Sequence, residues 1–554
     1  MRGVRLEREE AALRELGFTR AGTGVRGLLI GAFVLTITAV PMLQTWRELR
    51  HVRRGHPPAV EEFTSAFPRA LSSAGSTFTE GVIPAVASAN RSLKGDLHGF
   101  EQSLEKNSFL TRRFLPRYQW LVSRFLGLGN EKVFFGRDGW LYYRPDVDYL
   151  SGTGFSTVTG TGDVASPGHV TSSGHPGPIP ALLKFHDDLA LRGIRLIVVP
   201  VPVKPMIEPE HLSPRLSHHE VILQNPSYAA FERELRSRGV EVLDLGTPML
   251  REKTLSGRAQ YLSRDTHWTP GAMEGCAELL AGRLRNMLPG EFSSGEGGPE
   301  GERVTLRSRG DLVDMLDLSR PLPGYGPEEA ILHPRKGADG THWRPDPASP
   351  VLLLGDSFTR IYSAPDLHWG RDSGLAERLS DHLGRDIDVL AINAGGSSSV
   401  RQSLARSPER LLGKKAVVYE FSMRDLSGGD WKVIPLPHPV KSQSTIPVAG
   451  EVSVTGTVVE VSEIPLPGAN PYRDFVRSLR LRVGEGSDVR DMLVFVQAVR
   501  DKTSTGAESL RPGDRVALHL VPWAMVEERF GSLNRSELQG PSADLPDVYW
   551  AVDY

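Results

Sequence analysis

The middle of this chain shows two kinds of apolar pattern in regular alternation. Short apolar runs, typical of buried parallel strands, are separated by segments with apolar residues at helical spacing. Strands are predicted at 194–200, 240–245, 351–354, 387–392 and 416–421, and helices at 179–191, 228–238, 270–285 and 376–383. This alternation of strands and helices predicts an α/β fold in which a sheet forms the middle of three α/β/α layers.

The pattern changes after a proline-rich stretch at residues 435–447. Short apolar or alternating runs follow, and turns such as the one at residues 511–514 separate them. These runs lie at 452–462, 478–483, 493–499 and 515–521. They predict a small C-terminal β domain over residues 448–554, either an OB-like barrel or a sandwich. Trp523 and Tyr472 could stack on a glycan there, although packing is an equally good interpretation of both.

The N-terminal region predicts a membrane anchor. Residues 27–45 contain no charged side chain and are long enough to cross a bilayer as one helix. Arginines lie on both sides, so charge gives only weak support for a cytoplasmic N-terminus. We therefore expect a cytoplasmic stub and a transmembrane signal anchor within residues 1–55, followed by a helical stalk over residues 56–130. Surface loops rich in Gly, Ser and Pro are predicted at 152–180 and 288–302.

Composition limits the possible functions. The chain has 554 residues, which is enough for several domains, and a formal net charge of −2, which argues against nucleic acid as a partner. Its single cysteine, Cys276, rules out an internal disulfide framework and gives no support for a cysteine-rich metal site. Cys276 is predicted to be buried in the helix at 270–285. No cofactor and no metal are expected.

Two short motifs supply the groups of a nucleophilic triad. Ser357 follows Gly-Asp at the end of the apolar strand at 351–354, where the carboxyl edge of a parallel sheet forms a ligand crevice. Asp265 and His267 are two residues apart, so on an extended segment their side chains would point the same way. A serine needs a base to take its proton, and a carboxylate that orients the base. Each motif alone has a simpler explanation, a common turn for the first and a helix cap for the second.

Six motifs in one order resemble the AlgJ/AlgX group of polysaccharide O-acetyltransferases. The resemblance runs from about residue 102 to residue 434, and Asp265 and His267 precede Ser357, as in that group. The motifs are Gly136–Tyr142 (GRDGWLY), Leu196–Lys204 (LIVVPVPVK), Asp265–Trp268 (DTHW), Gly355–Phe358 (GDSF), Ala394–Gly396 (AGG) and Val417–Leu426 (VVYEFSMRDL). The resemblance implies an SGNH-hydrolase-like catalytic domain, which we place at residues 131–434.

The resemblance also implies a reaction and its partners. Asp265 would orient His267, and His267 would activate Ser357, which would carry the acetyl group as an acetyl-serine. A multi-pass membrane acyltransferase would donate the acetyl group, and hydroxyls of an exported or cell-surface polysaccharide would accept it. The implied location is the inner (cytoplasmic) membrane, with one N-terminal membrane span and the catalytic domain facing the periplasm or cell exterior.

Further site candidates come from the loops around the predicted triad. The second oxyanion donor is left open among a backbone N–H of Gly395 or Gly396 and the side chain of Asn393, although a turn role fits Asn393 better. Lys204, Arg401 and Arg424 could bind an anionic polysaccharide or pin the active-site loops. Trp140, Tyr142 and Trp268 are predicted to pack in the core.

Two other functions use the same residues. A carbohydrate esterase would need the same Ser-His-Asp triad but would pass the acetyl group to water. A non-catalytic glycan-binding scaffold would need only the fold, and the intact triad argues against it. The membrane anchor and the order of the triad favour the transferase.

Overall fold

The computed structural model describes most of the chain after residue 108. It covers residues 109–553 except 153, 156–176, 217–221, 293–300, 338, 438–450, 463–472, 485–488, 539–544 and 546, together with scattered positions between 27 and 90. Contacts divide the chain into one unit of Met1–Tyr118 and a second of Gln119–Tyr554. Within the described part, no helix is long and apolar enough to cross a membrane. Most of the predicted span at 27–45, and of the predicted stalk at 56–130, lies outside the described residues.

The helices before the C-terminal domain mostly agree with the apolar pattern. They are α1 (Phe109–Leu126), α2 (Arg144–Ser151), α3 (Pro178–Ala190), α4 (Lys204–Ile207), α5 (Pro209–Leu212), α6 (Tyr228–Ser237), α7 (Gly246–Ser256), α8 (Pro270–Met287), α9 (Asp311–Met315), α10 (Ser357–Arg360), α11 (Leu375–Leu383), α12 (Ser399–Arg406) and α13 (Asp425–Gly428). Local signals set their ends. Helix α8 begins after Thr269, whose side chain accepts a hydrogen bond from Ala272 N–H, and Pro270 takes the first helical position.

Five parallel strands form the central sheet, in the order β4 (Glu241–Val242), β3 (Arg195–Val201), β9 (Ala416–Ser422), β7 (Val351–Gly355) and β8 (Asp388–Ala391). The strands of this part of the chain are β1 (Val133–Phe135), β2 (Leu141–Tyr143), β3 (Arg195–Val201), β4 (Glu241–Val242), β5 (Val304–Ser308), β6 (Glu328–Leu332), β7 (Val351–Gly355), β8 (Asp388–Ala391) and β9 (Ala416–Ser422). Every residue of β7 and β9 is buried. This is the pattern of interior parallel strands whose two faces are both covered.

The sheet differs from the sequence prediction in two respects. The strand predicted at 240–245 has only two paired residues, since β4 lies at the edge of the sheet. Two antiparallel hairpins, β1–β2 and β5–β6, were not predicted, because their strands are short or half-exposed and lack a continuous apolar run. The prediction that Cys276 is buried in helix α8 is confirmed.

The C-terminal domain is a β barrel with its own apolar core. Its elements are β10 (Val452–Val461), β11 (Phe475–Val483), β12 (Arg490–Arg500), β13 (Thr503–Ser504), β14 (Arg515–Pro522), α14 (Trp523–Phe530), β15 (Arg535–Ser536) and β16 (Val548–Ala551). Strands β10, β11, β12, β16 and β14 pair in a closed ring. The prediction of a small β domain is therefore confirmed, in its barrel form.

The glycan-stacking role considered for Trp523 is wrong. The side chain is 8% exposed, and its ring lies against Phe495 with centroids 4.6 Å apart. The packing interpretation of Trp523 is the correct one. The second candidate, Tyr472, lies outside the described residues.

Buried ion pairs join the barrel to the α/β part of the chain. Glu537 accepts hydrogen bonds from Arg406 of helix α12 at 2.7 Å and from Arg535 of the barrel at 2.8 Å. Near the sheet edge, Arg360 Nη1 donates to Ser532 O at 3.0 Å. The Arg406–Glu537 ion pair and the Arg360 hydrogen bond therefore connect the barrel to helices α12 and α10.

Candidate active site

Ser357 lies where the sequence predicted it, directly past the carboxyl end of β7. Strand β7 ends at Gly355, and Ser357 begins the short helix α10 and is buried. Asp356 caps this helix, since its Oδ1 accepts the N–H of Phe358 at 2.7 Å. The other oxygen, Oδ2, accepts the N–H of Ser422 at 3.2 Å. Asp356 thus ties the serine turn to the end of β9.

The Asp265–His267 segment is a compact turn, and the expected extended conformation is wrong. A bridge between Tyr261 and Trp268 closes the turn at its base. Asp265 Oδ1 accepts two hydrogen bonds from His267, from the backbone N–H at 3.1 Å and from Nδ1 at 2.6 Å. The predicted pairing of the imidazole with the carboxylate is present, but a turn brings the two side chains together, not an extended segment.

Phe358 connects the serine turn to this pair. Its ring packs on His267, with centroids 4.8 Å apart, and edge-on against Trp268 at 5.4 Å. Tyr362, on the segment after α10, donates its hydroxyl to Trp268 O at 2.6 Å. Because Phe358 follows Ser357 directly, the structure brings the serine turn and the imidazole to the same edge of the sheet.

The electrostatics of the pair suit a base oriented by a carboxylate. Burial favours neutral Asp265, but hydrogen bonds from His267 and Trp369 and the charge of His267 lower its pKa to about 2. Burial likewise opposes a charged His267, yet its contact with Asp265 raises its pKa above the ordinary value. His267 Nε2 is buried and has no hydrogen-bond partner among the described residues. This nitrogen is therefore open to take a proton.

A cavity of about 270 Å³ lies beside His267. Its lining includes Asp265, His267, Asp311, Ile361 and Asp366. Ile361 follows helix α10, whereas Ser357 itself is not among the lining residues. The cavity therefore leaves space for a small molecule beside the imidazole.

Two further residues contact Asp265 and were not predicted from the sequence. Trp369 Nε1 donates to Asp265 Oδ2 at 2.9 Å, and the backbone N–H of Asp311 donates to the same oxygen at 3.0 Å. No local signal marks Trp369. For Asp311, the Gly-Asp pair before Leu312-Val313 is a helix-start signal in the sequence, but nothing in it shows that this helix reaches Asp265.

The three oxyanion candidates differ in what their N–H groups do. The N–H of Gly395 donates to Ile392 O at 2.8 Å, so the expectation that it is free to bind an oxyanion is wrong. Asn393 Nδ2 donates to Asp366 Oδ2 at 3.2 Å. The N–H of Gly396 has no partner among the described residues. A Cβ on Gly396 would lie 2.7 Å from Asp425 Oδ2, so the close approach here requires glycine.

Lys204 and Arg401 are fully buried and hold loops, so neither reaches solvent to bind a polysaccharide. Lys204 Nζ donates to Leu141 O at 2.8 Å and to Ser263 O at 3.3 Å, and burial lowers its pKa to about 8. Arg401 donates to Ser397 O at 2.6 Å and to Lys432 O at 3.0 Å. Of the two roles considered for these side chains, their contacts fit loop pinning.

Arg424 lies behind the serine turn. Its Nη1 donates to the buried Asp146 at 3.0 Å, and its guanidinium lies over the Phe358 ring, 5.5 Å from the centroid. Asp146 belongs to helix α2, so this ion pair ties that helix to the residue after Ser357. Trp140, Tyr142 and Trp268 are buried, as predicted.

Two groups of side chains among the described residues have the spacing of metal ligands. One is Asp265, His267 and Asp311, and the other is Glu208, Glu210 and His211. In both, the donors already have protein partners. His267 Nδ1 is bonded to Asp265, and Glu208 pairs with Lys253 at 2.7 Å. Neither group of side chains needs a metal ion to pair its donor atoms.

Comparison with known proteins agrees with this geometry. Residues 133–423, more than half of the chain, match the family described as SGNH hydrolase-like domain, acetyltransferase AlgX. The alginate biosynthesis protein AlgX of Pseudomonas putida is 26% identical over 262 residues, 45% of this chain and 51% of that protein. The probable alginate O-acetylase AlgJ of Pseudomonas fluorescens is 27% identical over 316 residues, 54% of this chain and 69% of that protein.

The chain thus spans about half the length of the AlgX relative. Among solved structures, the O-acetyltransferase domain of Pseudomonas putida AlgJ has a TM-score of 0.38 and 21% identity, covering 53% of this chain and 92% of that one. The family match covers β1 to β9 and includes Asp265, His267 and Ser357. This chain therefore belongs to the AlgX family of SGNH-hydrolase-like acetyltransferase domains.

Proposed function

We propose that this chain is a polysaccharide O-acetyltransferase that carries the acetyl group on Ser357. One observation carries the proposal. His267 has one nitrogen bonded to Asp265 and the other buried without a partner among the described residues, beside the turn that holds Ser357. A serine becomes nucleophilic when an oriented base of this kind takes its proton.

The first half-reaction would load the serine. Ser357 Oγ attacks the carbonyl carbon of an acetyl donor while its proton passes to His267 Nε2. The bond between the acetyl carbon and the leaving group then breaks, and the leaving group takes the proton from the imidazolium. The N–H of Gly396 is our candidate donor to the oxyanion, together with the side chain of Asn393 if it releases Asp366.

The second half-reaction would transfer the acetyl group to sugar. A sugar hydroxyl attacks the acetyl-serine carbonyl and gives its proton to His267. The Ser357 Oγ–acetyl bond then breaks, and Oγ takes that proton back. Transfer wins over hydrolysis only if the acceptor keeps water out of the cavity next to His267. An esterase would differ in this last step alone.

The partners and the location belong to the same proposal. The relatives named as alginate O-acetylases support an exported polysaccharide as the acceptor. A multi-pass membrane acyltransferase would supply the acetyl group that Ser357 accepts in the first half-reaction. A single-pass anchor at residues 27–45 would hold the enzyme at the inner membrane with its catalytic domain in the periplasm. We propose no cofactor for the reaction.

Acetyl transfer can be tested with the full chain in detergent. The substrate would be a chromogenic acetyl ester, with and without a panel of oligosaccharides, and mass spectrometry would identify acetylated sugar. Ser357→Ala would be compared with the wild type and with Ser256→Ala, which changes an exposed serine of helix α7. The proposal expects acetylated sugar with the wild type and with Ser256→Ala, and none with Ser357→Ala.

Other results would favour the other functions. Ester hydrolysis that depends on Ser357, without transfer to any acceptor, would favour the carbohydrate esterase. If Ser357→Ala leaves the rate of ester turnover unchanged, or if the wild type has none, the enzymatic proposal is wrong. A non-catalytic glycan-binding scaffold would then be the better description.

A further inference from the structure

A second carboxylate lies beside the Asp265–His267 pair and has no part in the reaction as described. Asp311 begins helix α9, inside the insertion between strands β5 and β6. It lines the same cavity as His267, and its Oδ2 lies 3.8 Å from His267 Nδ1. The imidazole therefore faces two carboxylates, while the proposed triad uses only one.

Asp311 holds both residues that precede the histidine. Its backbone N–H donates to Asp265 Oδ2 at 3.0 Å. Its side chain accepts two hydrogen bonds from Thr266, from the backbone N–H at 2.8 Å and from the hydroxyl at 2.6 Å. Since a turn of three residues carries both the acid and the base, these contacts set the direction of the His267 ring.

The backbone around Asp311 is docked on the same turn. The N–H of Leu312 donates to Arg264 O at 3.2 Å. Gly310 has a φ of 80°, and a Cβ there would lie 2.2 Å from Arg264 O. Only glycine permits so close an approach. Asp311 is thus held against the catalytic turn and cannot withdraw without moving the whole insertion.

The charge on Asp311 acts directly on the imidazole. The titratable groups that face Asp311 are Asp265, His267, Tyr143 on β2 and Lys204 on α4. Those that face His267 are Asp265, Asp311, Asp146 on α2 and Arg424, whose positive charge opposes the imidazolium. Burial and the negative charge of Asp265 raise the pKa of Asp311 to about 7. In its ionised form, Asp311 favours the imidazolium form of His267.

We propose that Asp311 is a positioning residue for acetyl transfer, which fixes the Asp265–His267 turn and, when ionised, stabilises the imidazolium formed as Ser357 loses its proton. The inference rests on the proposed function, because it takes Ser357 as the nucleophile and His267 as its base. Asp311 touches neither the acetyl group nor the sugar, and its effect passes through His267.

The experiment compares Asp311→Asn with Glu329→Gln in the full chain. Glu329 is an exposed carboxylate on β6 of the same insertion, where it pairs with Arg307. Initial rates on the chromogenic acetyl ester would give kcat and KM from pH 5 to 9. Asp311→Asn should lower kcat by up to about 100-fold and leave KM unchanged. The pH of half-maximal activity on the acid side should fall, because the charge that favours the imidazolium is gone. Glu329→Gln should match the wild type.

A second variant tests how Asp311 holds the turn while its carboxylate is kept. It also replaces Asp311→Asn as the test if that variant does not fold. Thr266→Val keeps the carboxylate of Asp311 but removes the hydroxyl that donates to it at 2.6 Å and that lies 3.1 Å from His267 Nδ1. It should lower kcat and shift the acid side of the pH profile less than Asp311→Asn does, because the hydrogen bond from Thr266 lowers the pKa of Asp311 but the carboxylate itself remains. The inference is overturned if Asp311→Asn behaves like Glu329→Gln, if its kcat falls without a shift of the pH profile, or if Thr266→Val leaves kcat unchanged. A wild-type rate in Ser357→Ala would instead refute the proposed function itself.

Discussion

Glu420 on strand β9 accepts a hydrogen bond from the backbone N–H of Asp356, at 3.0 Å, and Asp356 is the residue between the neighbouring strand β7 and Ser357. The same oxygen, Oε2, accepts the Thr359 hydroxyl at 2.7 Å. A Cβ on Gly355 would lie 2.9 Å from this oxygen, so the glycine of the Gly-Asp-Ser motif leaves space for the Glu420 carboxylate. The serine turn is thus held by a side chain of the adjacent strand as well as by its own cap.

Burial, together with the charge of Asp356, raises the pKa of Glu420 well above its ordinary value. This shift favours the neutral acid, and the uncharged Glu420→Gln side chain of the same shape should preserve the fold. Because the folded state binds this proton more tightly than the unfolded state, the stability contributed by Glu420 is full below about pH 4.3 and declines as the pH rises toward the folded pKa. A glutamine at this position does not titrate, so its contribution to stability does not decline as the pH rises.

The free energy of unfolding in urea, measured at pH 5, 6, 7 and 8, checks this. Relative to the wild type, Glu420→Gln should become more stable at each step up in pH. Glu278→Gln, which changes an exposed residue of helix α8, is the control and should show no trend. A difference between Glu420→Gln and wild type that stays constant across these pH values would mean that Glu420 is already ionised at pH 5.

Trp369→Phe tests the hydrogen bond to Asp265 Oδ2. The substitution keeps an aromatic ring in the core but removes a donor to a charged acceptor, an interaction worth about 1.5–3 kcal/mol. With Asp265 less firmly oriented, kcat for the acetyl ester should fall about tenfold. Trp343→Phe is the matched control, because its indole N–H donates at 2.7 Å to Asp386, outside the site. It should cost similar stability and leave kcat intact, and equal kcat losses in the two variants would refute the role given to Trp369.

The pH dependence of the wild type follows from His267. It must be neutral to take the serine proton, and its contact with Asp265 raises its pKa above the ordinary value although burial opposes the charge. The value of kcat/KM should therefore rise with pH and reach half its maximum above about pH 6.5. The measurement is an initial-rate profile from pH 5 to 9, with enzyme returned to pH 8 to show that acid losses are reversible. A midpoint clearly below 6.5 would mean that Asp265 does not hold the imidazolium.

The central sheet could be predicted from sequence because its strands are continuous apolar runs, such as β7 and β9, and its helices carry apolar residues at helical spacing. The hairpin of β5 and β6 could not, because its strands are short and half-exposed and their pairing is decided by tertiary contacts. That hairpin carries Asp311, so a part of the site that depends on it was missed as well.

Side-chain direction was the other limit. Lys204 and Arg401 are charged residues in the loops near the predicted triad, and nothing in their spacing shows that both are fully buried. Their burial depends on backbone carbonyls, those of Leu141 and Ser397 among them, that lie far along the chain or in an irregular loop. Likewise, Asp265 and His267 were correctly paired, but a turn closed by Tyr261 and Trp268 brings them together.

The last prediction concerns the junction of the barrel with the α/β part of the chain. Although burial favours neutral Glu537, Arg406 and Arg535 lower its pKa to about 2. The stability from this carboxylate is therefore present above the unfolded pKa of about 4.3 and is lost as the pH falls toward 2. At pH 7, Glu537→Gln removes the buried carboxylate that pairs with Arg406 and with the buried Arg535, and it should cost about 3–5 kcal/mol.

Urea unfolding followed by tryptophan fluorescence would measure this cost, since Trp523 and Trp550 lie in one apolar cluster of the C-terminal domain and Arg535 lies over the Trp523 ring. The deficit of Glu537→Gln relative to the wild type should be largest near pH 7 and shrink below pH 4. Asp491→Asn removes the partner of Arg482, whose side chain is exposed, in a pair between β11 and β12, and should cost much less stability than Glu537→Gln. If the two variants lose equal stability, the junction is not held by its charges, and the barrel would have to be docked by apolar contacts alone.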